Sequence, residues 1–70
     1  MKRISLSSTT MLAAGYDADK KILEIQFVSG DVYQYFDVPL EIYNRLLEAE
    51  SYGHYFNYNI RDNYSFLKVS

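Results

Sequence analysis

The spacing of apolar residues changes once along this chain, at Asp37-Val38-Pro39, and that change constrains the fold more than any other feature. Before it the pattern alternates. Ile22-Leu23-Glu24-Ile25-Gln26-Phe27-Val28 puts Leu23, Ile25 and Phe27 on one face of a strand, with Glu24 and Gln26 on the other. Ser29-Gly30-Asp31 and then Val32-Tyr33-Gln34-Tyr35-Phe36 complete the pattern of a β-hairpin. Upstream, Met11 to Tyr16 reads as a short strand and Asp17-Ala18-Asp19-Lys20 as a polar turn. After the change, the period is helical. Pro39 suits a first helical turn, where its missing N–H costs nothing, and Asp37 is placed to cap it. Leu40, Tyr43, Leu46 and Leu47 recur at helical spacing, with Glu41 and Arg45 as a supporting i,i+4 pair on the outer side. Ser51 is a cap for a second helix running to about Asp62, whose stripe is Tyr52, Phe56 and Ile60. Tyr64 to Val69 is too short for a helix and is expected to be an ordered tail or a short edge strand.

The expected fold is therefore α+β: a small antiparallel three-stranded sheet followed by two helices packed on one face, in the order β-β-β-α-α. Residues 8–70 form the single domain and residues 1–7 a loose polar N-terminus. In this arrangement Leu23, Ile25 and Phe27 face Leu40, Tyr43, Leu47, Phe56 and Ile60.

Length and composition then exclude whole classes of function. A chain of 70 residues buries only about 60% of its unfolded surface, which leaves little stability to spare for a strained catalytic geometry. It has no cysteine and one histidine, so disulfides, thiolate chemistry and the usual Cys/His zinc sites are out of reach. No cofactor is expected. The net charge is −2 and the seven basic residues are scattered, a poor match to duplex DNA. No apolar run approaches the ~20 residues of a membrane span. The stretch after Met1-Lys2-Arg3 is too polar for a signal peptide, so a cytoplasmic protein is expected.

Six pieces of sequence, in order, carry a resemblance: Gly15-Tyr16-Asp17, Leu23-x-Ile25-x-Phe27-x-Ser29-Gly30, Tyr33-x-Tyr35, Val38-Pro39, Ser51-x-Gly53 with Phe56-Asn57, and Ile60-Arg61. Together, from about Ser8 to Tyr64, they resemble the KTSC domain, a small domain named for the C-terminus of some lysyl-tRNA synthetases and also found alone. The resemblance implies little about function. RNA binding is suggested for it mainly by the company it keeps in the synthetases, which is an association and not a mechanism.

Tyr33 and Tyr35 are the most pointed candidates. Exposed together, they would form a stacking platform for unpaired bases; turned inward, they would be packing. The turn decides. A two-residue loop at Ser29-Gly30 sets both tyrosines with Glu24 and Gln26, whereas a three-residue loop of Val28-Ser29-Gly30 sets them with Leu23 and Ile25. Gly at the third position favours the second register. Arg61 is either a contact for a phosphate or carboxylate, or a helix-end cation paired with Asp62 or Glu50. Tyr52 and Asn57 complete the candidate partner-contacting set. His54 has no evident orienting carboxylate or nucleophile, Asp17 and Asp19 lack the rest of a calcium loop, and Ser7-Ser8-Thr9-Thr10 lacks an activating base. No catalytic or metal-binding residue is assigned.

Two function classes fit. The first is a protein-interaction module that binds a protein partner or forms a weak homodimer, since tyrosine is favoured in interfaces and an acidic balance does not hinder them. The second is a weak RNA-binding module for single-stranded or structured RNA, using exposed tyrosines with Arg61 and Lys20-Lys21.

Overall fold

Gly30 settles the register of the central hairpin. It sits at φ 99°, in left-handed space that side chains avoid, and closes a three-residue loop between β3 (Ile22–Phe27) and β4 (Val32–Tyr35). Phe27 N–H donates to Asp31 C=O, and Leu23 stands opposite Tyr35 and Ile25 opposite Tyr33. Both tyrosines therefore share a face with the apolar residues of β3, as the glycine placement favours.

The computed structural model describes residues 1–70 and extends this hairpin into one antiparallel sheet of five strands, in the order β1-β2-β3-β4-β5. β2 (Met11–Asp17) pairs with β3, with a bulge between Met11 and Ala13. Two helices, α1 (Leu40–Glu48) and α2 (Tyr52–Asn59), separate β4 from β5 (Phe66–Lys68). The α+β class holds, but the sheet has five strands where three were expected. One addition, β1 (Arg3–Ser5), comes from the N-terminal residues expected to be loose; it pairs with β2 along Arg3–Gly15, Ile4–Ala14 and Ser5–Ala13. The other is the tail, which pairs with β4 as an edge strand. Both are three-residue strands: the tail was open as an edge strand from sequence, while β1 is too short for alternation to register.

The core lies between one sheet face and the helices. Met11, Ala14, Leu23, Ile25 and Tyr35 from the strands meet Val38, Tyr43, Leu46, Phe56 and Ile60. Tyr16 stacks on Tyr43 with ring centroids 5.2 Å apart, and its hydroxyl donates to the Val38 carbonyl, tying β2 to the segment before α1. Leu40 was expected in this core and is not there. As the first residue of α1 it is 51% exposed, and Leu46, two turns on, takes the buried position. Asp37 does not cap α1 either. It adopts φ 58°, a left-handed turn that asparagine and aspartate tolerate, and Pro39 occupies the N-cap position. Ser51 caps α2 as expected, its hydroxyl accepting from His54 N–H at 3.2 Å.

The opposite sheet face holds a polar cluster. Glu24 is buried there; it accepts from Arg3 Nε at 2.6 Å and from Gln34 Nε2 at 2.9 Å, while Arg3 also donates to Gln26. Burial pushes the Glu24 carboxyl up, but the hydrogen bonds from Gln34 and Arg3 together with the Arg3 charge outweigh it, so its pKa lies below the ordinary carboxylate value. Alternation places Glu24 on the polar face of β3 but does not show its burial, because the Arg3 side chain that reaches it comes from β1, which was not evident.

Candidate functional site

The core is closed at the Tyr16–Tyr43 end and open at the other. Beside β4, the helices stop short of the sheet edge and leave a groove of about 670 Å³ on the core side. Its floor is aromatic. Phe27, Tyr33 and Tyr35 rise from the sheet in the register that Gly30 imposes, Phe56 enters from α2, and Phe66 arrives on β5 opposite Tyr35. Neighbouring rings lie 5.4–6.4 Å apart: Tyr35 edge-on to Phe56 at 5.4 Å, Phe27 edge-on to Phe56 at 5.5 Å, Tyr33 stacked with Tyr35 at 6.4 Å. Such pairs add about 0.5–1.5 kcal/mol each beyond simple burial, so the floor is rigid. Phe66 is the exception, packed on one side only and 56% exposed.

The rim is polar. Thr9 and Thr10 border it on one side, Ser29 and Asp31 at the hairpin turn, and Asn57, Arg61 and Asp62 from the end of α2. Asp31 is paired with Lys68 at 3.4 Å across the turn. Arg61 forms no ion pair, with Asp62 and Glu50 included, so the helix-end pairing considered from sequence is not made. Its charge is felt by Tyr35. Burial, reinforced by Tyr33, pushes the Tyr35 phenol up to about 12, and Arg61 opposes that rise. Tyr35 makes no protein hydrogen bond, yet no buried side-chain oxygen is left without a partner; its hydroxyl is therefore reached by solvent through the groove.

Four of the five candidate residues meet here. Tyr33, Tyr35, Asn57 and Arg61 line one groove, although they come from a strand and from the end of a helix more than twenty residues away. Tyr52 does not join them: it lies on the first turn of α2, half-buried against the core. The tyrosine pair is also not a flat platform. Tyr35 is 4% exposed and serves as floor, while Tyr33 and Phe27 are half-buried and Phe66 is the most open of the rings. Phe66, Phe27 and Asp62 were missed as site residues. Phe66 had one faint signal, the alternation Phe66-Leu67-Lys68-Val69, whose meaning depends on pairing with β4. His54 is elsewhere, against Tyr58 with centroids 4.5 Å apart, at a separate hollow near Ser51.

The same architecture recurs in known proteins. A KTSC domain protein from Yersinia pestis superposes with a TM-score of 0.96 at 35% identity, covering 99% of this chain and 97% of that one. An uncharacterised protein of Stutzerimonas stutzeri (strain A1501) is 47% identical over 57 residues, 81% of this chain and 80% of its own length. A lysine–tRNA ligase of Trichormus variabilis is 36% identical over 55 residues, which is 79% of this chain but 10% of the ligase. The KTSC domain sequence model matches residues 7–64, from just before β2 to the loop leading into β5. With the hairpin, the tyrosine pair and both helices inside that match, the chain belongs to the KTSC domain family.

Proposed function

We propose that this domain is a non-catalytic interaction module whose aromatic groove receives an extended protein segment. One observation carries the reading: an aromatic floor with accessible Phe66 and Tyr33 lies beside the open edge of the sheet, with Arg61 uncommitted on its rim. A segment laid there could bury an apolar side chain on the rings and bring a carboxylate to Arg61, a charge-assisted contact. Charge favours protein over nucleic acid. Asp31 and Asp62 share the rim with Arg61, and Lys68 is held by Asp31, so few phosphates could be neutralised. The binding reading also suits the titratable groups: a phenol held near 12 is neither base nor nucleophile at neutral pH, and the lone histidine lies outside the groove.

A second reading, weak binding of single-stranded RNA, is favoured by relatives that carry this segment as a tenth of a lysine–tRNA ligase. Stacking on Tyr33 and Phe66 would supply its affinity. The experiment that separates the two is an amide-shift titration of the labelled domain with a capped hexapeptide containing Phe and Glu, and with oligouridylate. The protein reading expects shifts at Tyr33, Asn57, Arg61 and Phe66 with the peptide, lost in Arg61→Ala. The same shifts with oligouridylate, and none with the peptide, would establish the RNA reading instead.

A further inference from the structure

The edge strand β5 has the pattern of a strand that can pair with itself. β5 is held to β4 through Leu67, which stands opposite Gln34; flanking bonds run from Phe36 N–H to Ser65 C=O and from Val69 N–H to Val32 C=O. Hydrogen bonding to one neighbour alternates along an antiparallel strand. Ser65, Leu67 and Val69 therefore point their backbone groups inward to β4, and Phe66 and Lys68 point theirs outward, where the sheet ends. All three residues of β5 are exposed, and Phe66, Leu67 and Val69 are 56%, 57% and 43% open to solvent. The other edge is built differently. β1 is preceded by Lys2, a charge that discourages strand addition, and its own Arg3 is turned onto Glu24.

We infer that β5 pairs antiparallel with β5 of a second copy of this chain, about a two-fold axis through Leu67. This rests on the protein-interaction reading and names the partner at the edge beside the groove. In that register Leu67 faces the partner's Leu67, and Phe66 faces the partner's Lys68. The two residues whose backbone groups point outward thus meet the two whose groups point outward, and all four strand-to-strand hydrogen bonds close. Leu67 packs on Leu67 on the helix-free face. On the groove face Lys68, still paired with its own Asp31, lies across from the exposed ring of the partner's Phe66 rather than from a second ammonium. A one-residue slip loses this match, because it sets inward-pointing groups against outward ones. Three residues a side is far below the area of a permanent dimer, so the association is weak and concentration-dependent.

The chain has no cysteine, which makes the test simple. Leu67→Cys is exposed and lies at a pair that is not hydrogen-bonded, where strand separation suits a disulfide. Under mild oxidation it should give a covalent dimer at least about tenfold faster than Leu40→Cys, a similarly exposed control on α1. A second measurement does not depend on oxidation. Leu67→Glu and Leu67→Lys should each sediment as monomers at concentrations where the unchanged chain moves towards two chain masses, and their equimolar mixture should recover the dimer. Equal oxidation rates, or a chain that stays monomeric at millimolar concentration, would overturn the inference. A monomer whose groove still answers the peptide would leave the groove reading standing and remove only the second copy from it.

Discussion

The two edges of this sheet are each three residues long, and they solve the problem of an open edge in opposite ways. β1 is charged and is anchored by its side chains: Arg3 reaches over Gly15 to the buried Glu24, and a polar cluster closes beneath it. β5 is the more apolar edge: the Phe66 ring rests on Tyr33 and Tyr35 and Lys68 on Asp31, yet Phe66, Leu67 and Val69 stay largely in solvent beside an aromatic groove. The lesson is a division of labour. In this small chain the strand at one edge turns its charge inward onto Glu24, and the strand at the other keeps apolar surface outward, as the proposed interaction requires.

The comparison breaks most sharply at Gly15. A Cβ there would sit 2.7 Å from the Lys2 carbonyl oxygen, a backbone atom that cannot step aside unless β1 moves. Gly15→Ala should cost about 1–3 kcal/mol, read by urea unfolding, with faster hydrogen exchange at Ile4. The equivalent change on the other side, Phe66→Ala, should cost less than about 1 kcal/mol because the ring is already half in water. Equal losses would show that β5 is as structural as β1.

The Arg3–Glu24 contact comes next. Arg3→Ala leaves a buried carboxylate with Gln34 as its remaining side-chain partner, and should cost about 1–2 kcal/mol. Its pH dependence has a definite sign. A carboxyl whose folded pKa is lowered stabilises the fold at pH values above its unfolded value of about 4.3, and that stability is lost as pH falls through the lower folded value. The unchanged chain should therefore lose stability on acidification below about pH 4.5 more steeply than Arg3→Ala does. Parallel curves would remove Arg3 as the anchor of β1.

A smaller effect sharpens the other side. With the Arg61 charge removed, the Tyr35 phenol should titrate higher than in the unchanged chain, since Arg61 is the one influence holding it down. Ultraviolet titration of the tyrosines in Arg61→Ala reads this directly. No change would mean that Arg61 points away from the groove.

How much of this was legible in sequence follows from the length of the pattern each element offers. The hairpin spans enough residues for alternation, and Gly30 carried the extra instruction that turned Tyr33 and Tyr35 inward. Ser51 and the stripe through Phe56 and Ile60 marked α2 for the same reason. β1 was obscure because three residues hold no period and its partner lies further along the chain, whereas β5 was already open as a short edge strand. Glu24 looked like a solvent-facing residue for want of β1, and Phe66 looked like tail for want of its contact with Tyr35. The groove was half visible: Tyr33, Tyr35, Asn57 and Arg61 were marked as single candidates, but only the packing of the end of α2 over the core face of β4 brings them to one place.

The division between the edges is tested most directly by backbone amide shifts of the unchanged chain, followed from micromolar to millimolar concentration. Concentration-dependent shifts confined to Phe66–Val69 and the groove residues Tyr33 and Arg61, with Arg3–Ser5 unmoved, are the predicted result. Shifts centred on Arg3–Ser5, or none anywhere, would contradict it.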